Sequence, residues 1–281
     1  MTDTGEAWFA GVAPSEADTA GASRIREGGA DAPADWPARA VETGFAEDEQ
    51  AYYETLHDAS LAAARSAVTE AERADDRQLI HAVRAMDDAE RTANELAERV
   101  TEWAGTLFED APAGVEGARV VADREPSTRA EVRVVSLAER VADLAAERDD
   151  LRTFIERRAP SVAPNLAEMA GPVLAARLVS LAGGLEPLAK MPSGTVQVLG
   201  AEDALFAHLR GHAPSPKHGV IFTHEYVRGI RAEDRGSAAR ALAGKLAIAA
   251  RIDHYSGELR PAVHEELDER IATIRARGAD A

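Results

Sequence analysis

The chain has 281 residues, enough for one large domain or two modest ones, and abundant alanine with only 5% aromatic residues favours helices. It contains no cysteine, which excludes disulfides and thiolate metal sites and favours an intracellular, cytoplasmic protein. There is no apolar run of the roughly 18 residues that a membrane span needs, and residues 1–6 lack the features of a signal peptide, so neither is expected.

The formal net charge of −17 would ordinarily argue against binding of nucleic acid. The basic residues are almost all arginine, because lysine occurs only at Lys190, Lys217 and Lys245. An acidic, lysine-poor surface is expected in a cytoplasm that holds molar salt, where charge repulsion is screened within roughly 3 Å. The composition therefore predicts a halophilic protein. An acidic mesophilic protein from a GC-rich genome is the alternative.

The acidic residues are unevenly distributed. Residues 161–257 hold ten Lys and Arg against eight Asp and Glu, a net charge of +2, so the rest of the chain carries −19. All three lysines and five of the eight histidines also lie in this segment. Because this segment lacks the excess of acidic residues found in the rest of the chain, we expect it to contact an anion.

Four regions follow one another along the chain. Residues 1–48 are rich in Ala, Gly, Pro, Asp and Glu and predict a reduced, partly disordered N-terminal module, in which only residues 8–12 look like a strand or an anchoring patch. Residues 49–160 predict a helical and coiled-coil region, residues 161–257 a compact helical block, and residues 258–281 a tail with one short helix. The predicted fold class is mostly all-α.

Two amphipathic helices dominate the central region. The first has helical apolar spacing from Asp75 to an end near Gly105. The second is expected to stop at Pro160 and Pro164, and its apolar residues have heptad spacing. This seam predicts a dimerisation surface for a second copy of the chain, but a hairpin that folds on itself fits nearly as well. The seam consists of Leu137, Val141, Leu144, Leu151 and Ile155.

The sequence offers no catalytic residues. It has neither a phosphate-binding Gly-rich loop nor a Gly-x-Ser-x-Gly elbow. His208, His212, His218 and His224 suggest a metal site, but Gly211 interrupts any helix there and no His-Glu-x-x-His motif accompanies them. We therefore predict a protein that is not an enzyme and that binds no metal. A histidine metal hydrolase is the alternative.

The most distinctive motifs lie in residues 200–222. Residues 200–210 read Gly-Ala-Glu-Asp-Ala-Leu-Phe-Ala-His-Leu-Arg, and residues 216–222 read Pro-Lys-His-Gly-Val-Ile-Phe. This order resembles the Nop-domain pattern, in which Gly-Ala-Glu-Lys-Ala-Leu-Phe-Arg-His-Leu precedes Pro-Pro-Lys-His-Gly-Ile-Ile-Phe. Residues 174–185 and 239–257 resemble the flanking helices of that family.

The resemblance covers roughly residues 50–108 and 136–257, and the chain is similar to the archaeal Nop-domain scaffolds of box C/D ribonucleoproteins, which guide 2′-O-methylation of RNA. It implies a homodimer through the coiled coil and an all-helical Nop domain over residues 161–257, here called the Nop segment. It also implies three partners: box C/D guide RNA, a kink-turn protein of the ribosomal type, and a fibrillarin-type methyltransferase held by the N-terminal region. The methyl donor, S-adenosylmethionine, belongs to that methyltransferase, so no cofactor is expected in this chain.

Side chains of the Nop segment are predicted to contact the RNA. Arg240 and Arg251 share a face of the last long helix, and the small residues between them leave room for phosphates. Lys190 and Lys217 are expected on loops, whereas Lys245 lies on an apolar arc, where a stem that snorkels to solvent is the alternative. The predicted RNA-binding set is Lys190, Ser193, Arg210, Lys217, His218, Arg235, Arg240, Lys245 and Arg251.

The chain departs from the family pattern at three basic positions, which are Asp203, Ala207 and Ser237 here. The segment between Leu107 and Ser136 is also shorter than the first coiled-coil arm of the family. The three replaced basic residues leave one alternative function: a coiled-coil module for protein interaction whose Nop-like block no longer binds RNA.

Overall fold

The computed structural model describes residues 7–28 and 34–279, and these residues are mostly helical, with no β-strand among them. The mostly all-α prediction is confirmed. The prediction about residues 1–6 lies outside the described residues. The chain divides into two compact units, Met1–Ala74 and Asp75–Ala281. The helices of the first unit are α1 Ala22–Glu27, α2 Trp36–Glu42 and α3 Glu49–Arg73.

An aromatic cluster forms the core of the first unit. Phe9 is buried and stacks on Phe45 with 5.1 Å between ring centroids, and the Trp8 indole donates a hydrogen bond to the Tyr52 hydroxyl at 3.3 Å. Residues 8–11 form turns, so residues 8–12 are not a strand but an anchoring patch, the other form that the sequence predicted, because Trp8 and Phe9 pack in this core. A strand needs a neighbour to satisfy its backbone groups, and none of the described residues supplies one, whereas α3 offers Tyr52 as a packing partner.

The second unit begins with three helices that pack together as a hairpin: α4 Asp75–Ala104, α5 Gly114–Ala122 and α6 Arg129–Val162. α4 begins at Asp75 and ends beside Gly105, as its apolar spacing predicts. Arg158, near the end of α6, pairs with Asp75 at the start of α4, so the two long helices run antiparallel. We call this three-helix element the hairpin.

The two ends of α6 show how local sequence sets its length. At the start, Thr128 Oγ1 accepts from the Glu131 amide at 3.2 Å, and the Glu131 carboxylate accepts from the Thr128 amide at 3.3 Å, which completes a capping box. Hydrogen bonds from the Ser127 amide, at 2.6 Å, and from the Thr128 amide lower the pKa of the Glu131 carboxyl. Pro160 does not stop the helix, in contrast to the prediction. It lies in the last turn of α6, which ends at Val162, two residues before Pro164 opens α7, so Pro164 marks the predicted boundary.

The Nop segment is built around one long helix, α13, whose Leu242 and Leu246 are fully buried. Helices that precede α13 surround it, and one helix follows it. The full set is α7 Pro164–Ala170, α8 Pro172–Ala182, α9 Leu185–Lys190, α10 Ser193–Val198, α11 Glu202–Leu209, α12 Glu225–Arg228, α13 Arg235–Tyr255 and α14 Pro261–Ala279.

Helix α14 belongs to the same core. Leu267, Ile271 and Ile274 are buried in the apolar cluster that also contains Leu242 and Leu246. The predicted boundary after residue 257 therefore passes through a continuous core. The division between the two units likewise groups α3 with the N-terminal residues, whereas the sequence placed residues 49–160 in one region.

Candidate nucleic-acid interface

Two distant parts of the Nop segment meet at an aromatic side chain. The His218 ring stacks on Phe222 with 4.6 Å between centroids and 20° between planes. The Arg235 guanidinium lies 5.4 Å from the centroid of the same ring, and a Cβ at Gly236 would lie 3.8 Å from Lys217 Cδ. The structure therefore brings together three predicted residues and one that was not predicted. We call Lys217, His218, Phe222 and Arg235 the Lys217 cluster.

The charge of the Lys217 cluster is available to a ligand. Lys217 is exposed, and its ammonium has no hydrogen bond or ion pair within residues 7–28 and 34–279. Arg235 Nε donates to the Ile230 carbonyl at 3.3 Å, which fixes the guanidinium without neutralising it. A fixed guanidinium beside a free ammonium is suited to phosphate oxygens.

A second group of predicted residues meets around Arg251. Its Nε donates to the Ala189 carbonyl at 3.1 Å, and its terminal nitrogen donates to the Met191 carbonyl at 3.5 Å. Arg251 therefore contacts the backbone on both sides of Lys190. We call Glu186, Lys190 and Arg251 the Arg251 cluster. Lys190 is the last residue of α9 rather than a loop residue, which corrects the prediction. Its ammonium lies 2.5 Å from Glu186, and this ion pair raises the pKa of Lys190 and lowers that of Glu186.

The face of α13 between Arg240 and Arg251 differs from the prediction. Arg240 is exposed, and its guanidinium has no partner in the described part of the chain. Nothing lies within 4 Å of a Cβ built at Gly244, but Ala247 is only 2% exposed. The open surface therefore extends from Arg240 to Gly244 and does not continue to Arg251, which ties α9 to α13 instead.

Lys245 is the predicted RNA contact that the structure places least favourably. It is half-buried and forms an ion pair with Glu266 of α14. The snorkelling alternative describes this arrangement, because the stem lies at the packed junction of α13 and α14 while the ammonium reaches a carboxylate. The ion pair favours the snorkelling alternative, in which Lys245 holds α14, and contact of Lys245 with RNA stays a prediction.

The two remaining predicted residues are exposed but belong to neither cluster. Ser193 is the first residue of α10. Arg210 follows the end of α11, and its side chain makes no hydrogen bond or ion pair among the described residues. Beside Arg210, Phe206 is 54% and Leu209 71% exposed, so α11 presents an apolar surface next to a cation.

The heptad seam lies inside the hairpin, which corrects the dimerisation prediction. Val141 and Ile155 are 0% exposed and pack against residues of α4. Leu137, Leu144 and Leu151 are half-buried against the same clusters. The helical hairpin that folds on itself, the alternative interpretation, is the one that the structure shows. These side chains are not free to pair two copies.

Two histidines of the Nop segment, His208 and His224, have backbone partners. His208 Nδ1 lies 3.0 Å from the Ala213 carbonyl. His224 Nδ1 accepts from the Tyr226 amide at 3.1 Å, and its Nε2 lies 3.1 Å from the Met169 carbonyl, so the neutral ring caps α12. Burial lowers the pKa of His224. Within the described residues, no group of His, Asp and Glu side chains is arranged to hold a metal ion.

Sequence reasoning missed Phe222, Glu186 and Gln197. Phe222 stood in the quoted motif, but an aromatic residue among Val and Ile looks like core. Glu186 precedes Lys190 by four residues, the spacing of a helical ion pair, and this signal could have been used. Gln197 donates to a backbone carbonyl 20 residues away, and no sequence pattern indicates that contact.

The fold defines a class of protein: a helical module in which a hairpin is joined to a compact block that exposes Lys217 and Arg240, two cations without a carboxylate partner among the described residues. None of the described helices combines the length and hydropathy that crossing a membrane requires.

The comparisons with known proteins identify the family. The sequence profile described as "Nop: snoRNA binding domain, fibrillarin" matches residues 74–273. A NOP5 family protein of Methanocaldococcus jannaschii is 33% identical over 273 residues, which cover 84% of this chain and 66% of that protein. Nucleolar protein 56 of Schizosaccharomyces pombe is 43% identical over 123 residues, covering 44% of this chain and 25% of that protein.

A solved structure described as a fibrillarin/Nop5p complex is similar with a TM-score of 0.55 and 25% identity, and the match covers 91% of this chain and 92% of that one. The chain therefore belongs to the Nop family. It spans just under two thirds of the archaeal relative and a quarter of the yeast one.

Proposed function

We propose that this chain is the helical scaffold of a box C/D ribonucleoprotein that guides 2′-O-methylation of rRNA or tRNA, and that it is not itself an enzyme. The match of residues 74–273 to the snoRNA-binding family is the observation that carries this proposal. The free cations at Lys217 and Arg240 agree with it, because they lie in the segment that the family profile covers.

The guide RNA and a kink-turn protein of the ribosomal type would be bound together. A net charge of +2 over residues 161–257 provides little attraction for phosphates, and affinity that depends on counterion release falls steeply with salt. Shape, a few placed groups and the surface of an already bound protein must then supply the rest. The exposed apolar side chains of Phe206 and Leu209 beside Arg210 are suited to such a composite of protein and nucleic acid.

A fibrillarin-type methyltransferase would be recruited by the first unit. Support comes from the similar chain in the fibrillarin/Nop5p complex, since the match covers 91% of this chain. The first unit is small, but its aromatic core is buried, and α3 presents an exposed Tyr53 between acidic residues Glu49 and Glu54. The expected location of the whole assembly is the cytoplasm of a halophilic archaeon, which the acidic, lysine-poor composition supports.

A homodimer would use the outside of the hairpin rather than the buried seam. Trp103, Val120 and Val132 are 40%, 47% and 39% exposed, and they lie on α4, α5 and α6. We expect light scattering to report a dimer that Trp103→Asp converts to a monomer. A wild-type chain that is monomeric at all concentrations contradicts this part of the proposal.

Reconstitution tests the proposal as a whole. The purified chain, a box C/D guide RNA, a kink-turn protein and a fibrillarin-type methyltransferase are mixed with a complementary target RNA and labelled S-adenosylmethionine in molar salt. We expect methylation only when all components are present. Methylation of equal rate without the chain, or none with every component, contradicts the scaffold function.

A further inference from the structure

The loop over residues 211–219 is held against the end of α10 by backbone contacts. The Gly219 amide donates to the Gln197 carbonyl at 2.8 Å, and the Val220 amide donates to the Leu199 carbonyl at 2.8 Å. A Cβ at Gly219 would lie 2.0 Å from the Leu199 carbonyl oxygen, so only glycine permits this approach. The end of the loop is therefore fixed against the C-terminal end of α10.

The side chain of Gln197 adds a contact on the other side of His218. Its side-chain Nε2 donates to the Lys217 carbonyl at 2.7 Å, while its backbone carbonyl accepts from the Gly219 amide. Gln197 thus holds the peptide groups on both sides of His218. No other side chain among the described residues donates to the backbone of Lys217, His218 or Gly219.

We propose that Gln197 is the positioning residue that presents Lys217 and His218 to RNA, an inference that rests on the proposed function. Gln197 is half-buried and its amide is already engaged, so it acts through the loop rather than by touching phosphate. Lys217 and His218 rest on Gly236 and Phe222 only by their stems and rings. The hydrogen bond from Gln197 fixes the backbone from which both side chains project, and a fixed orientation reduces the entropy lost on binding.

A double-mutant cycle tests this role in the complete assembly with guide RNA and kink-turn protein. Gln197→Leu keeps the volume and removes the donor, and we expect the affinity for RNA to fall about threefold to tenfold. In a Lys217→Ala, His218→Ala background, the same change is expected to have no further effect, because the groups that Gln197 positions are gone. Gln197→Met also removes the donor without adding a charge, and it should repeat the loss if the leucine variant is unstable.

Gln50→Leu is the matched control, since Gln50 donates an equivalent hydrogen bond to Glu54 at 2.9 Å on α3. It should leave RNA affinity unchanged. Gln197 variants that bind RNA like the wild type, or that lose equal affinity in both backgrounds, overturn the positioning role. A Lys217→Ala, His218→Ala chain that binds RNA normally overturns instead the RNA contact in the proposed function, so the two failures are distinguishable.

Discussion

The hairpin and the Nop segment use charged side chains in different ways. On the hairpin, arginines pair with carboxylates one turn away, as in Arg99 with Glu102 at 2.8 Å and Arg140 with Asp143 at 3.0 Å. In the Nop segment, Lys217 and Arg240 have no carboxylate partner among the described residues. Lack of pairing alone does not distinguish the two regions, because Arg84 and Arg133 on the hairpin also have no carboxylate partner among the described residues. The unpaired cations of the Nop segment lie in a stretch with a net charge of +2, whereas the rest of the chain carries −19.

The two regions also differ in the role of their acidic side chains. Asp253 is buried beneath the surface of the Nop segment, where its carboxylate accepts from the backbone amides of Asn165 and Leu166, both at 2.9 Å. These are first-turn amides of α7, which has no side-chain cap of its own. Burial raises the pKa of Asp253, and the hydrogen bonds oppose that rise. Acidic side chains on the hairpin, such as Asp143, are exposed to solvent, whereas the Asp253 carboxylate is buried and links α7 to α13.

Replacing the buried acid should produce the largest effect. Asp253→Ala leaves the α7 amides and the Asn165 side chain without an acceptor, so we expect the free energy of unfolding to fall by about 3 kcal/mol. Asp143→Ala on the hairpin, which removes an exposed ion pair, should cost less than about 1 kcal/mol. Denaturant titration at constant molar salt measures both, and equal losses would contradict the contrast between the regions.

The second largest effect is expected from removal of the unpaired cations Lys217 and Arg240. Lys217→Ala with Arg240→Ala is expected to weaken assembly on box C/D RNA about tenfold, because charged donors to phosphate are lost, with an unchanged melting temperature. Arg99→Ala with Arg140→Ala removes two paired arginines from the hairpin and is the control. Gel-shift titration with the kink-turn protein present compares them. A similar loss in both double variants would mean that total charge, rather than pairing, determines affinity.

Acid should destabilise the Nop segment through His224. Burial lowers the pKa of His224 in the folded state, below the ordinary value of 6.5, so the unfolded chain binds the proton more readily. The stability that the neutral cap provides is complete above pH 6.5 and is lost as the pH falls toward the folded-state pKa. His224→Asn can still cap α12 but does not titrate, so its stability should decline less between pH 7.5 and pH 5.5. Parallel declines would exclude His224 as the group responsible.

The smallest effect is expected from the carboxylate that neutralises Lys190. Glu186→Gln removes the charge while retaining the length, so the ammonium becomes available and assembly should tighten about twofold. Glu266→Gln frees Lys245 in the same way, but Lys245 lies at the packed junction with α14, and RNA affinity should not change. Fluorescence anisotropy with labelled RNA resolves such differences. Tightening by Glu266→Gln alone would show that the surface has been placed on the wrong side of α13.

The sequence predicted the helices well because apolar spacing depends on the helical period alone. It could not tell whether the seam of Val141 and Ile155 pairs two copies or folds one chain, since both require the same spacing. The contact between Lys245 and Glu266 spans 21 residues, and the packing that brings them together has no local signal. Lys217 and Arg240 are exposed and unpaired among the described residues, as a contact with RNA requires, whereas Lys245 is ion-paired; RNA binding by these residues stays a prediction.

The central claim is that the Nop segment binds RNA as part of a composite surface and not by charge alone. The measurement that tests it most directly is a gel-shift series of the wild-type chain on box C/D RNA in molar salt, with and without a kink-turn protein. We predict weak or undetectable binding by the chain alone and tight binding once the kink-turn protein occupies the RNA. Tight binding by the chain alone would contradict the claim, and absence of binding in both series would favour a module for protein interaction.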